Sequence, residues 1–420
     1  MGLVFYRISN MVQTPFSMSV KSKIRVLRII NRFNLGGPTY NAAYLTKYLD
    51  DKYETLLVGG AKDESEASST YILDNLGLRP RMIENMKRSI SLKDISAYNE
   101  LDAIIKEFQP DIVHTHASKA GTLGRLAAIR NDVPVIVHTF HGHVFHSYFG
   151  KLKTAFYKGI ERWLAARSSK IIAISEIQKD ELGSIHRICS PKHISVIPLG
   201  FDLSRFAEDV EQKRLSFREK YELQKDDLAI VIVGRLVPVK NHKMFIRVVK
   251  RLIETGTKNA RFFIVGDGES KGDLTKFCDE ISVSYHEGKP PTEANPVCFT
   301  SWIKEVDWVY AGSDIVCLTS LNEGTPVSLI EAQAASQPIV TTRVGGIHNV
   351  VLENESAFLT ESNDVDDFAS KIGRLIDDED LRKKMGKAGM SRAVTTYSYT
   401  RLCSDVDHLY SSLMKKKTKI

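Results

Sequence analysis

Short apolar runs separated by amphipathic stretches set the rhythm of the chain from Ile24 onward. The pattern predicts strand 24–30, helix 39–49, strand 53–59, helix 97–108, strand 111–115, helix 121–130, strand 134–140, helix 151–167 and strand 170–175. Runs such as Val135-Ile136-Val137 are apolar on every residue, as parallel strands are when helices cover both faces of their sheet. A doubly wound α/β domain is the consequence. The turn-rich stretch Val196-Ile197-Pro198-Leu199-Gly200-Phe201-Asp202 breaks the rhythm, which restarts at Leu228-Ala229-Ile230-Val231-Ile232-Val233 and continues through strands 261–266, 297–301, 314–319 and 338–342. The division is therefore a disordered tail over 1–22, a first α/β domain over 23–200, a second over 201–395, and a helix over 396–420 expected to pack back on the first domain. The tail also fits translation from a start misassigned ahead of Met18. Residues 286–292 read as an extended loop and Lys415-Lys416-Lys417 as a frayed end.

Composition narrows the class. With 420 residues, 43% apolar and 26% charged, the chain is an ordinary globular protein of two domains. The net charge of +7 is spread among interspersed acids, without the aromatic and basic interleaving of a nucleic-acid surface, so no nucleic-acid partner is expected. Five scattered cysteines without C-x-x-C support neither a disulfide framework nor a cysteine zinc site, and point to a reducing, cytoplasmic setting. No run approaches the roughly 18 apolar residues of a membrane span, and Arg7 and Asn10 interrupt any signal-peptide core.

The chemistry concentrates in Asn322-Glu323-Gly324-Thr325-Pro326-Val327-Ser328-Leu329-Ile330-Glu331, directly after an apolar strand. Thr325 reads as an N-cap and Pro326 as the first helical residue, because proline has no N–H to lose there. The helix mouth then offers free amides at Gly324, Thr325 and Val327 between two carboxylates. Those amides suit a phosphate, while Glu323 and Glu331 accept hydroxyls on either side of it, the order of sugar, diphosphate and ribose in a nucleotide sugar. Arg235 and Lys240 come after the strand ending at Val233, at the carboxyl edge where open α/β sheets bind ligands, and could neutralise a departing diphosphate. The Gly36-Gly37-Pro38 turn lets backbone approach an anion but lacks the dinucleotide spacing.

Six of the twelve histidines lie between His114 and His146. No acid stands among the later four, so no metal site is expected, and His141 reads as a hydrogen-bond donor at the mouth of the first domain. Asp364-Val365-Asp366 and Asp405-Val406-Asp407 match a metal-binding D-x-D, yet neither ends a buried strand. Asp364 or Asp366 serves more simply as an N-cap, and Asp405 and Asp407 as members of the terminal helix. Helix 151–167 carries Leu152, Phe156, Ile160, Trp163 and Leu164 on one stripe among basic residues. The stripe is expected to pack on its own sheet; peripheral contact with an anionic membrane is the other reading.

Together these segments resemble the retaining glycosyltransferases of family 4, which have the GT-B fold, two Rossmann-like domains facing a central cleft. Eight motifs occur in that family's order: Gly36-Gly37, Asp111-Ile112-Val113-His114-Thr115-His116, Thr139-Phe140-His141, Ile172-Ala173-Ile174-Ser175, Val196-Ile197-Pro198, Gly234-Arg235 with Lys240, Gly266-Asp267-Gly268, and Glu323 through Glu331. The resemblance implies that Arg235 and Lys240 clasp the donor diphosphate, Glu331 the ribose and Glu323 the transferred sugar. It places His141 near the reacting centre and Gly345-Gly346-Ile347 as a second backbone loop beside the sugar. Ser301-Trp302 stand where many members have glycine near the nucleobase. The implied activity is transfer of a sugar from a nucleotide-diphosphate sugar, a UDP-sugar by preference, to a glycan or lipid-linked acceptor of surface polysaccharide synthesis, without a cofactor or metal. A nucleotide-sugar epimerase, which would convert the donor without an acceptor, and a noncatalytic glycan-binding protein are the rival readings.

Overall fold

The computed structural model describes residues 23–33, 37–61, 70–87, 89–142 and 151–417. The tail, Gly36, His143 and His146 lie outside the described residues. The first sheet contains β1 (Ile24–Arg32), β2 (Tyr53–Gly60), β3 (Arg81–Met82), β4 (Ile112–His116), β5 (Val135–Phe140), β6 (Lys170–Ala173) and β7 (Ile194–Val196), in the order β3-β2-β1-β4-β5-β6-β7. The second contains β8 (Leu228–Val233), β9 (Ala260–Val265), β10 (Tyr285–Glu287), β11 (Val297–Ser301), β12 (Ile315–Leu318), β13 (Ile339–Thr342) and β14 (Ala357–Thr360), in the order β10-β11-β9-β8-β12-β13-β14. All these pairings are parallel. The order reverses beside β1 in one sheet and beside β8 in the other, which opens a crevice at the carboxyl edge of each.

The helices of the first domain include α1 (Gly37–Lys47), α2 (Thr70–Asn75), α3 (Lys93–Phe108), α4 (Ser118–Arg130) and α5 (Lys151–Arg167). Leu27, Ile29, Val113 and Ile136 of the sheet bury one face against Ala97, Leu101 and Ile104 of α3 and Ala120 and Ala127 of α4. On the other face, Val26, Ile112 and Val137 pack against Leu45 of α1 and against Leu402, Val406, Tyr410 and Leu413 of the terminal helix Tyr399–Lys417. Arg28 of β1 is buried here with no carboxylate partner among the described residues and donates to His114 Nδ1 (3.1 Å), the Leu45 carbonyl (3.4 Å) and the Tyr410 hydroxyl (3.5 Å). Since a guanidinium only donates, His114 Nδ1 is an acceptor, and its Nε2–H is left to donate to Thr139 Oγ1 at 2.7 Å.

The chain crosses between the domains twice, and the crossings are bonded together. Phe201 N donates to the Tyr397 carbonyl (2.8 Å), Tyr399 N to the Phe201 carbonyl (3.0 Å), and Arg401 Nη2 to the carbonyls of Pro198 (2.8 Å) and Leu199 (2.7 Å). Gly200 is required by this approach, because a Cβ there would stand 2.6 Å from Leu402 Cβ.

Several expectations need correction. Helices α1, α3 and α4 begin two to four residues earlier than the apolar period suggests, since polar first turns carry no hydrophobic signal. The strand over 170–175 stops at Ala173 because Ser175 turns to cap the next helix, accepting from Gln178 N. His286 and Glu287 belong to edge strand β10, and Lys415–Lys417 remain helical. Asp364 is the N-cap, accepting from Asp367 N, while Asp366 pairs with Arg251. The stripe on α5 does not pack as a unit: Leu164 is buried but Phe156 is 66% and Trp163 44% exposed. Buried Arg125 of α4 needs a carboxylate, and the Arg125–Glu161 pair at 2.6 Å turns Glu161 inward and the two aromatic rings out.

Tyr410→Ala should cost about 4 kcal/mol in urea unfolding, the scale of an emptied aromatic site. Tyr410→Phe, which removes only the hydroxyl, should cost about 1 kcal/mol. Equal effects of the two substitutions would contradict this account of the terminal helix.

Candidate active site

The carboxyl edge of the second sheet supplies most of the site. After β8, Arg235 is exposed and a single tight turn, Pro238–Lys240, presents Lys240. The turn is pinned to the end of β12: Thr319 Oγ1 donates to the carbonyls of Lys240 (3.1 Å) and Asn241 (3.0 Å), and Leu321 N to Val239 O (2.8 Å). Lys240 Nζ therefore reaches Glu323 Oε1 at 2.5 Å, and Ser320 Oγ donates to the same oxygen at 2.6 Å. Glu323 is held from behind by the Gly345-Gly346 loop, where Gly346 N donates to its carbonyl at 2.8 Å. A Cβ on Gly345, which lies at φ +49°, would stand 2.1 Å from that carbonyl oxygen.

The helix below the loop is Val327–Ala334, beginning one residue later than expected. Pro326, not Thr325, is the N-cap: its ψ of 105° is extended, and Leu329 N donates to its carbonyl at 3.2 Å. Thr325 gives no side-chain cap, so the first-turn amides at Val327 and Ser328 have no intrahelical partner. The anion-binding character of the mouth is unchanged by this correction. Glu331 lies deeper, with the Tyr310 hydroxyl 3.5 Å from its Oε2, and burial raises its pKa to about 7 despite the nearby Arg205. Trp302 is 53% exposed after β11. Ser301, at φ +61°, holds the backbone position that glycine would favour, and its hydroxyl donates to Asp267 Oδ2 at 2.9 Å.

From the first domain come Gly37 at the start of α1 and the histidines at the ends of β4 and β5. His116 Nδ1 and His141 Nε2 are 3.0 Å apart, and burial drives the His141 pKa down to about 3 and that of His116 well below its ordinary value. Both rings are neutral at physiological pH. Among the described residues no group of three or more His, Cys, Asp or Glu side chains is placed to hold a metal ion. Asp405 pairs with Arg401 and Asp407 with Lys52 and Tyr53, which are structural roles.

Four neighbouring residues, Ser320, Tyr40, Tyr71 and Lys304, escaped the sequence reading. Ser320 had a signal, the Ser-x-x-Glu spacing to Glu323. Tyr40 of α1 packs against the core of the second domain close enough to feel the Glu331 charge, and its hydroxyl lies 2.9 Å from that of Tyr71. Lys304 stands over the Tyr71 ring at 5.7 Å, so this side of the cleft is bridged in two places.

Comparison with known proteins bears on this geometry. Residues 35–205 match the family model described as Glycosyltransferase Family 4, and residues 213–392 match that of Glycosyl transferases group 1. An Escherichia coli UDP-Gal:alpha-D-GlcNAc-diphosphoundecaprenol alpha-1,3-galactosyltransferase is 32% identical over 358 residues, covering 84% of this chain and 88% of the relative. The chain belongs to the family 4 glycosyltransferases. The capsular polysaccharide biosynthesis glycosyltransferase CapM of Staphylococcus aureus is 26% identical over 79% of this chain and 84% of its own length. Among solved structures, Anabaena HepE in complex with UDP superposes with a TM-score of 0.76 at 17% identity, over 93% of this chain and all of that one. A Rickettsia africae glycosyltransferase gives 0.75 at 19% identity, over 94% and 99%. The fold is GT-B, and this family 4 enzyme is a glycosyltransferase.

The Glu331 pKa near 7 has a sign that can be tested. A carboxyl whose folded pKa is raised stabilises the fold fully below its unfolded value, and that contribution is lost as pH rises through 7. Hydroxyl donors from a ribose favour the ionised form, so nucleotide binding should expel a proton near pH 7. Calorimetric titration of UDP in buffers of differing ionisation enthalpy should show more proton release for the wild type than for Glu331→Gln. Equal release would count against the expected contact between Glu331 and a ribose.

Proposed function

We propose that the chain is a retaining hexosyltransferase that moves a sugar from a UDP-sugar to a glycan or lipid-linked acceptor, with neither cofactor nor metal. The observation that carries this reading is the Lys240–Glu323 pair at 2.5 Å, set beside a helix mouth and above Glu331. The pair satisfies itself in the absence of donor. A diphosphate at the helix amides offers Lys240 a stronger partner. Its transfer to the phosphate frees Glu323 Oε1 for the sugar hydroxyls, so diphosphate binding and sugar binding are coupled through one lysine. Arg235, exposed at the same edge, adds the second cation, and the two take the charge that builds on the departing UDP.

In the reaction the acceptor hydroxyl oxygen bonds to the anomeric carbon as the bond from that carbon to the diphosphate breaks. The acceptor proton passes to a phosphate oxygen of the leaving UDP. Attack on the face of departure retains configuration and asks for no enzyme nucleophile. His141, neutral and hydrogen-bonded through Nε2 to His116, has Nδ1 left to meet the sugar or the acceptor. Closure of the two domains, bringing Gly37 and His141 toward the donor sugar, would exclude water. The names of the Escherichia coli relative and of the Anabaena complex support UDP as the nucleotide, and the lipid diphosphate in the former supports a lipid-linked acceptor.

Lys240→Ala should lower kcat/KM by about 100-fold or more, measured by release of UDP from the donor in the presence of acceptor. Near-normal turnover would take Lys240 out of the mechanism. Glu323→Gln should reduce sugar transfer by at least about tenfold more than it reduces UDP affinity, and an equal loss of both would argue against a sugar-side role.

A further inference from the structure

The buried histidines of the first domain fall on two sides of its sheet. His114 and His116 are two residues apart on β4 and face the same side, as alternate residues of a strand do. Thr139, the register partner of His116, and His141 continue that side at the end of β5. Thr115 and His138 point the other way, bonded to each other at 2.8 Å beneath α4, where a Cβ on Gly121 would stand 2.4 Å from the His138 ring. His138 is thereby packed away from the cleft. On the first side the His114 and His116 ring centres are 4.3 Å apart, and His116 in turn reaches His141.

His114 is fixed from three directions, by Arg28 and the Tyr410 hydroxyl (2.6 Å) on Nδ1 and by Thr139 on Nε2. His116, fully buried, rests on that fixed ring. The His116 and His141 planes are 28° apart and their centres 5.3 Å, so the two rings meet edge to edge with the facing nitrogens in line at 3.0 Å. Burial keeps both rings neutral, so each carries one proton, and the bond between them needs one N–H and one lone pair. Two arrangements meet that need. If His141 donates from Nε2, His116 is left with an N–H at its own Nε2, fully buried and with no acceptor among the described residues. If His116 donates from Nδ1, its Nε2 keeps only a lone pair, and the unmet N–H passes to Nδ1 of His141, a partly exposed residue followed by exposed Gly142. An N–H buried without a partner is the costlier orphan, so the second arrangement is favoured.

We infer that His116 is a positioning residue, donating from Nδ1 to His141 Nε2 and so holding His141 as an Nδ1–H donor to an oxygen of the bound sugar or acceptor. The orientation is set from the far end of the chain, because Tyr410 of the terminal helix braces His114 and His114 braces His116. In this form neither nitrogen of His141 has a lone pair free for the acceptor proton. That proton is left to the departing phosphate oxygen, and His141 contributes a hydrogen bond and no charge. The use of the donor rests on the proposed function; the tautomer itself does not.

The test is the nitrogen NMR spectrum of the full chain labelled with ¹⁵N-histidine, the His141 signals being identified by their loss in His141→Ala. The expected result is a protonated Nδ1 and a bare Nε2 at His141. His116→Asn, whose amide N–H can replace the Nδ1 donor, should keep that tautomer, and His116→Asp, which only accepts, should reverse it. In the UDP-release assay His116→Asn should hold kcat within about fivefold, while His116→Asp and His116→Leu lose about tenfold or more. In a His141→Ala background the same substitutions should change kcat by less than about twofold, since they act through the missing ring. Thermal unfolding with and without UDP keeps folding in view, and the wild-type spectrum decides the tautomer even where a variant fails to fold. A protonated Nε2 at His141 in the wild type overturns the inference, as does a His116→Leu loss that is undiminished without His141. The expected tautomers together with near-normal turnover in His141→Ala would sustain the positioning by His116 while removing His141 from the proposed reaction.

Discussion

The cleft depends on one constraint, the bonding of the two interdomain crossings to each other. Pro198 to Phe201 and Tyr397 to Arg401 run side by side, joined by backbone bonds and by Arg401, whose Nη2 serves two carbonyls. The terminal helix then returns its apolar face to the first sheet, so the second crossing is anchored on both sides. A hinge built this way lets two sheets approach and separate while keeping their carboxyl edges opposed. Tyr40 packing against the second domain near Glu331, and Lys304 over the Tyr71 ring, bring the two halves into contact beside Glu331.

Within that frame the chemistry depends on where charge is already balanced and where it is not. Lys240 and Glu323 neutralise one another in a recessed position, an arrangement whose Coulombic gain is largely offset by the loss of hydration. Little stability is therefore surrendered when a diphosphate separates them. Glu331 is the opposite case: burial without a strong cationic partner lifts it to about 7 and leaves a carboxyl that gains from any hydroxyl donor. The histidines complete the contrast. Burial keeps His114, His116, His138 and His141 neutral, so the first domain presents the cleft with hydrogen bonds rather than with charge.

Local signals made the central strands, and the placement of Arg235, Lys240 and Glu323 at the carboxyl edge, legible. Continuous apolar runs mark parallel strands wherever helices cover both faces, and loops after such strands hold Arg235, Lys240 and Glu323, so both the sheets and the ligand edge could be read in order. What escaped depends on distant partners. Nothing near Tyr410 announces that it will meet His114 and Arg28, because the contact joins residues nearly 300 and 400 positions apart in sequence. The rotation of α5 was misread because helical periodicity cannot register that Arg125, on another helix, draws Glu161 inward. Thr325 offered a good cap by composition, yet Pro326 keeps an extended ψ and takes the position, a choice made by local backbone geometry. The short strands β3, β7 and β10 are two or three residues long and exist through pairing with a neighbour rather than through propensity.

The central claim is that the donor diphosphate exchanges partners with a resting ion pair. A crystal structure of the UDP complex tests it most directly through one distance, Lys240 Nζ to Glu323 Oε1, which is 2.5 Å without ligand. The account predicts that the pair opens, with Lys240 hydrogen-bonded to a phosphate oxygen at the mouth of the helix Val327–Ala334 and Glu323 turned toward the sugar position. An intact pair, with the diphosphate bound away from Lys240, would contradict it.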